Sequence, residues 1–310
     1  MNIPFPDLWI PDLWIIVTIA AAVFQTVRFM LQKQLSAVTL SAGGATFSRF
    51  FYSLPFILAL LGVYLWMSGK PLPALPLPFW IYGVFGAAAQ IAATVCVVLL
   101  FKQRNFAVGI TFKKTEVIQT VLMGWVVLGE GVSMLGFAAI GLGIVGLLLL
   151  SGGEDAQGWH MGNINKRAAT LGIASGFLFS ISAVTYRGAS LTLLEDDPIL
   201  RATVTLAAVV CMQTLIMVVW LRLREPGQMR AVWSARRVAV WIGLTSMGGS
   251  LCWFIAFTVQ NAAYVKALGQ VELILSVAAS TLFFHEKITG REWAGMAVLI
   301  ASILMLVLVI

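Results

Sequence analysis

Charge is what this chain lacks most. Of 310 residues only 13 are acidic and 20 basic, so charged side chains make up 11% of the chain against 60% hydrophobic. A soluble domain needs a solvated polar shell, and this balance excludes one; it is the composition of a chain that crosses a membrane repeatedly. Cysteine is scarce as well. Cys96, Cys211 and Cys252 all lie inside apolar runs, which excludes a disulfide framework and predicts free buried thiols. The two histidines, His160 and His285, are far apart and make no metal-ligand pattern. Position 289 is Thr, so His285-Glu286 does not begin a zinc-protease motif. There is no aspartate-rich metal motif, no nucleophile–base signature, no P-loop and no dinucleotide-binding glycine pattern. No metal or cofactor is therefore expected, and neither an integral membrane enzyme nor a self-contained ATP-driven pump gains support. The net charge of +7 would suggest nucleic acid in a soluble protein; here it reads as cytoplasmic loop charge, with no nucleic-acid partner.

What the chain does have is apolar runs. Ten of them lie at about 13–34, 44–67, 78–101, 106–128, 134–151, 168–191, 198–221, 238–258, 263–284 and 291–310, each near the ~20 residues a helix needs to cross ~30 Å of hydrocarbon. The segment ahead of the first run carries Asp7 and Asp12 in place of basic residues. That run is expected to stay as a helix and not to be a signal peptide, although Ala20–Ala22 resembles a cleavage site. The stretch GGEDAQGWHMGNINKR at 152–167 is the one linker. It divides the chain into a first five-span repeat (1–151) and a second (168–310).

The halves repeat. At a constant offset of 156, Asn105 matches Asn261, Glu116 matches Glu272, Glu130 matches Glu286, Cys96 matches Cys252 and Phe101 matches Phe257. Apolar matches are cheap in so greasy a chain, whereas three polar ones in one register are not. Slightly different offsets place Thr26-Val27-Arg28 over Thr185-Tyr186-Arg187, and Arg49 over Arg201. Five spans is an odd number, so the second half enters the membrane from the opposite side. The fold class is an all-α integral membrane protein of ten transmembrane helices in two inverted five-helix repeats, an arrangement typical of secondary transporters. The loops on one side hold Lys33, Lys102, Arg104, Lys166, Arg167, Arg222, Arg224, Arg230, Arg236, Arg237, Lys287 and Arg291, and the other side holds Lys70 alone. That asymmetry puts the first side in the cytoplasm and both termini outside.

Glu116 with Gly129-Glu130, Glu272 with Glu286 at the same spacing, the glycine-rich fifth span (Gly136, Gly141, Gly143, Gly146), Gly295 and Arg49 together resemble the drug/metabolite transporter superfamily, EamA type. The likeness covers essentially the whole chain. It implies a membrane transporter of small molecules, with the bacterial inner membrane as its setting. The chain departs from that pattern at Val117 and Leu273, where many relatives carry proline directly after the buried Glu. It departs again in its loop charges, since relatives are usually drawn with cytoplasmic termini.

Carboxylates in mid-membrane cost several kcal/mol unless paired or facing a wet cavity, so Glu116 and Glu272 are candidate functional residues. Gly109, Lys113, Glu116, Thr120 and Gly124 share one helix face, and Gly269, Glu272, Ser276 and Ser280 share the equivalent one. Lys113 and Glu116 read equally as an intrahelical ion pair or as substrate contacts. Arg28, Arg187 and Lys266 are further candidate substrate contacts, with reach toward the headgroups as the alternative for Arg28 and Arg187. Arg49 and Arg201 lie nearer helix ends, from which arginine reaches the headgroups. Gln25, Gln90, Gln119 and Gln270 read as lining the same cavity or as bridging helices. Gly172, Gly176 and Ser180 form a packing stripe, and Glu130 and Glu286 read as structural.

Away from helix ends the spans hold Arg28, Lys113, Lys114, Arg187 and Lys266 against Glu116 and Glu272: five minus two, a surplus of three positive charges. The expected function is secondary transport, proton-coupled or by exchange, of a small anionic or zwitterionic metabolite. Export of cationic or amphipathic drugs is the alternative. The expected proton carriers are Glu272 and Glu116, with Glu272 favoured because Gly269 and Gln270 stand where Lys113 and Lys114 flank Glu116. The partners are the metabolite and the surrounding lipids; association into a homodimer is left open.

Overall fold

The computed structural model describes residues 10–38, 40–101, 113–150, 166–275 and 290–309. Among these there is no strand. Eleven helices follow in order: α1 (Ile10–Val38), α2 (Ala42–Ser68), α3 (Leu77–Phe101), α4 (Glu116–Leu128), α5 (Met134–Leu150), α6 (Lys166–Leu191), α7 (Pro198–Arg224), α8 (Gln228–Ser234), α9 (Arg236–Val259), α10 (Ala262–Leu268) and α11 (Gly290–Val309). Five stretches are long and apolar enough to cross a membrane: Ala42–Ser68, Leu77–Leu100, Ala169–Leu191, Pro198–Arg224 and Arg236–Val259. Shorter apolar stretches occur in α1, α4, α5 and α11. Cys96, Cys211 and Cys252 are free and half-buried.

Local chemistry sets the helix ends. The Ser41 hydroxyl accepts from the Gly44 N–H at the start of α2, and Gly69 closes that helix at φ 66°. Gly129 closes α4 in the same left-handed conformation, at φ 68°. An L-residue would be strained at both positions, whereas glycine is not. Asp197 caps α7 by accepting from the N–H groups of Ile199 and Leu200, with Pro198 in the first turn, where no N–H is needed.

The main packing runs between the halves. α1 lies on α9 as α3 lies on α6; α2 packs on α7 and α9, α4 on α6 and α10, and α5 on α11. Under the repeat, α1 corresponds to α6 and α3 to α9, so the first two contacts are one contact seen twice; α2 on α7 and α5 on α11 each relate a helix to its own counterpart, whereas α4, whose counterpart begins at Glu272, meets in α10 the part of the ninth span that precedes the break. Close approach needs small residues. A Cβ at Gly146 would sit 2.8 Å from the Leu299 backbone nitrogen, and only glycine lets α5 and α11 meet there.

On the membrane side opposite the arginine-rich loops, Lys70 pairs with Glu195 (2.9 Å) and Asp197 (3.3 Å), and the Tyr64 hydroxyl donates to Asp197 at 2.6 Å. The hydrogen bond to Glu195 raises the Lys70 pKa, and the same bond lowers that of Glu195. Burial pushes Asp197 up, but hydrogen bonds from Tyr64, the Leu200 N–H and Lys70 overcome it and leave the carboxyl below its ordinary value. Lowered carboxylates stabilise the fold above their unfolded pKa of about 4, and that stability is lost as pH falls through the folded value. Thermal unfolding of detergent-purified protein at neutral pH and near pH 3 checks this. Asp197→Ala is expected to cost about 1–2 kcal/mol at neutral pH through the lost cap. Asp197→Asn keeps the cap and should lose less than about 1 kcal/mol, since the ion pairs are partly exposed, while flattening the acid limb.

Two expectations are corrected here. The fourth and ninth spans are not continuous helices. The chain turns at Lys114–Thr115 before α4, and turns again at Gly269–Gln270 between α10 and a helical stretch at 271–275. Arg49 does not reach toward the headgroups: it is buried, 3% exposed. Gly109, Ser276, Ser280, His285 and Glu286, and the greater part of the linker, lie outside the described residues.

Candidate functional site

The two helix breaks are one structure repeated. The Val117 N–H reaches the Lys114 carbonyl (3.5 Å) and the Leu273 N–H reaches the Gln270 carbonyl (3.0 Å), the same three-residue turn at the offset of 156. No proline is involved. At the first break α6 closes on the backbone itself: a Cβ at Gly176 would stand 2.8 Å from the Lys113 carbonyl oxygen and 3.3 Å from the Glu116 nitrogen. At the second, the Trp253 ring occupies the space of a Gly269 side chain. Each break starts a new helical turn at a carboxylate, Glu116 in the first turn of α4 and Glu272 in its counterpart. A helix N-terminus favours negative charge.

The carboxylates are then crossed between the halves. Glu116 pairs with Lys113 of its own turn (3.5 Å) and with Lys266 of the second half (2.5 Å). Glu272 pairs with Lys114 of the first half (3.2 Å) and accepts from the Gln25 amide (2.9 Å). All of these charged side chains are nearly or fully buried. The Lys266 ammonium stands over the rings of Trp253 (4.8 Å), Phe257 (5.6 Å) and Phe179 (5.7 Å), and Lys113 shares Phe179 at 5.1 Å. Such a cage stabilises a cation that water no longer reaches. The expectation that Glu272 lacks a nearby lysine is therefore corrected: its lysine, Lys114, comes from the other half.

Arg28 is buried and within electrostatic range of both Glu272 and Arg49. Gln270 donates to the Lys266 carbonyl (3.1 Å), and its own amide oxygen is buried with no hydrogen-bond partner among the described residues. Gln90 belongs to a separate polar knot, accepting from Gln213 (2.7 Å) and the Tyr186 hydroxyl (3.1 Å). Arg187 stands apart. Its Nε lies 2.9 and 2.8 Å from the two Glu130 oxygens, and Nη1 donates to the carbonyls of Phe257 (2.7 Å) and Gln260 (2.8 Å). That is a staple between the halves at the membrane edge, in keeping with a structural Glu130.

The structure thus brings Gln25, Arg28, Lys113, Glu116, Lys266, Gln270 and Glu272 to one centre, adds Lys114, and leaves Gln90 beside it and Arg187 elsewhere. Gln213 and the ring cage of Phe179, Trp253 and Phe257 were not singled out from the sequence. Among the described residues no group of His, Cys, Asp and Glu could hold a metal ion. Chemically, the centre can offer either sign of charge, and a proton taken by a carboxylate would free a lysine.

A model of the EamA-like transporter family matches residues 12–152 and 166–308. Over 74 residues, 23% of this chain and 67% of the relative, the chain is 28% identical to a probable 4-amino-4-deoxy-L-arabinose-phosphoundecaprenol flippase subunit ArnE of Hamiltonella defensa subsp. Acyrthosiphon pisum (strain 5AT). In three dimensions it matches a protein crystal structure with a TM-score of 0.71 at 14% identity, covering 96% of each chain, a likeness of fold alone.

Proposed function

We propose, for a chain that belongs to the EamA-like transporter family, that it is a secondary active transporter of a small anionic or zwitterionic metabolite. Ten crossings in two inverted repeats would carry it in a bacterial inner membrane. The observation that carries this reading is the charge of the buried centre. Arg187 drops out of the census because Glu130 neutralises it, and Arg49 enters because it is buried. Arg28, Arg49, Lys113, Lys114 and Lys266 then face Glu116 and Glu272: five minus two, still a surplus of three positive charges. A site for a bare organic cation would carry the opposite balance. Two helices broken at equivalent places, each ending in charged side chains, fit the substrate and coupling sites of inverted-repeat transporters. The ArnE relative is named as a probable subunit of a flippase for 4-amino-4-deoxy-L-arabinose-phosphoundecaprenol, a name that includes an amino and a phospho group. Glu272 and Glu116 are the proposed proton-coupling groups.

Purified full-length protein should show thermal stabilisation by at least one carboxylate or amino acid in a metabolite panel. The same compound should then accumulate in sealed proteoliposomes. A permanent cation as the best ligand, with no anionic or zwitterionic hit, would sink the reading.

A further inference from the structure

Resting on that reading, we infer that Arg49 is a second anchor for the substrate's oxyanion, a carboxylate or phosphate held jointly with Arg28. Arg49 is buried, yet among the described residues it forms no ion pair. Its hydrogen-bond partners are three hydroxyls from two other helices, and the guanidinium also lies over the Phe50 ring (5.2 Å), which carries no counter-charge. Nε donates to Ser246 (2.8 Å) and Nη2 reaches Ser250 (3.5 Å), one turn apart on α9, while Nη1 donates to Thr94 (3.1 Å) on α3. Hydroxyls solvate a guanidinium without neutralising it. The Thr94 hydroxyl in turn donates to the Gln90 carbonyl (2.8 Å), so Arg49 borders the Gln90–Gln213–Tyr186 knot and not a lipid face.

The contrast with the other buried charges is what singles Arg49 out. Glu116 has Lys113 and Lys266, Glu272 has Lys114, and Arg187 has Glu130. Arg28, within electrostatic range, adds a second positive charge where no carboxylate is in contact with Arg49. An uncompensated buried charge is expensive, and it is retained where a ligand supplies the counter-charge. The three hydroxyls take three of the five guanidinium N–H groups. One N–H on each terminal nitrogen remains, the fork that a carboxylate or phosphate accepts bidentately. Alternating access would open this buried fork to substrate from one membrane face at a time.

The test uses full-length protein in detergent at fixed ionic strength, titrated with succinate, inorganic phosphate or tetraethylammonium chloride while unfolding temperature is followed. Wild type should be stabilised saturably by succinate, phosphate or both, and the stronger of the two identifies the oxyanion. Arg49→Gln should raise the half-saturating concentration about tenfold or more. Arg49→Lys, which keeps the charge and loses the fork, should fall between, and decides the matter if the glutamine variant does not fold. Arg201→Gln, which alters an arginine in electrostatic range of Glu195, Asp196 and Asp197, should behave as wild type. If Arg49→Gln melts lower without ligand but binds the anions as wild type does, Arg49 is only a staple of α2, α3 and α9; the inference falls and anion transport stands. If wild type responds to neither anion, the inference falls, while the anion or zwitterion reading is decided by the metabolite panel.

Discussion

Replacing Glu116 with glutamine should cost about 3–5 kcal/mol of stability, because it breaks a buried ion pair and leaves its cations uncompensated. The carboxylate stands between Lys113 and Lys266, all three nearly out of reach of solvent. An amide of the same shape preserves packing and removes only the charge, so the loss reads the electrostatics. The remedy follows from the same geometry. Lys266 lies among the rings of Trp253, Phe257 and Phe179, a space that methionine fills with favourable sulfur–aromatic contacts. Glu116→Gln combined with Lys266→Met should regain part of the lost stability, since it removes the nearer of the two lysines that faced the carboxylate while Lys113 stays charged. It should not regain substrate binding. Unfolding in mild detergent measures the first effect and ligand titration the second. A Glu116→Gln protein within about 1 kcal/mol of wild type would mean the pair is wet or the charge is compensated elsewhere.

The class of fold was legible in the chain because bilayer thickness leaves a simple record, apolar runs of one length broken by polar loops. The centre was legible in part. Glu116 and Glu272 stood out because carboxylates in such runs are costly and these two share an offset. Lys113–Glu116 stood out because i,i+3 contact is a property of one helix. Contacts between residues far apart in the chain leave no such periodic trace. Lys114 is 158 positions from Glu272, and its neighbour Lys113 was the one on the expected face. The helix breaks were hidden for the same reason. Neither Lys114-Thr115 nor Gly269-Gln270 contains a proline, and the first break meets a glycine on α6 that reads as ordinary packing. Arg49 looked like a residue near a helix end until the hydroxyls of Thr94 and Ser246 were seen around it. Arg187 looked like a substrate contact until Glu130 was found beside it.

Replacing Glu272 with glutamine should abolish uptake driven by a pH gradient alone and spare pH-independent exchange of substrate. The choice of Glu272 over Glu116 rests on what lies directly against each carboxylate, not on the total charge around it. Glu116 lies against two lysines, Lys113 and Lys266, whereas Glu272 lies against Lys114 and the neutral amide of Gln25, with Arg28 and Lys113 also in electrostatic range. Protonation of Glu272 breaks its ion pair with Lys114, which joins the first half of the molecule to the second. It also removes the nearest counter-charge of Lys114, leaving Glu116 in electrostatic range and a positive group more available to an anion. One event thus loosens a contact between the repeats and strengthens the attraction for substrate. Proton and substrate become coupled if the two faces of the access cycle bind the proton differently. Glutamine fixes Glu272 in an approximation of its protonated form. The variant should bind and exchange an anionic substrate while ignoring the gradient. Proteoliposomes loaded with unlabelled substrate separate the two modes: labelled substrate enters by exchange at equal pH on both sides, and accumulates in empty vesicles only when a pH difference is imposed. If the Glu272→Gln protein still concentrates substrate under that difference alone, the coupling proton travels by another group, and the Lys114–Glu272 pair is left with the structural work of holding the two broken helices together.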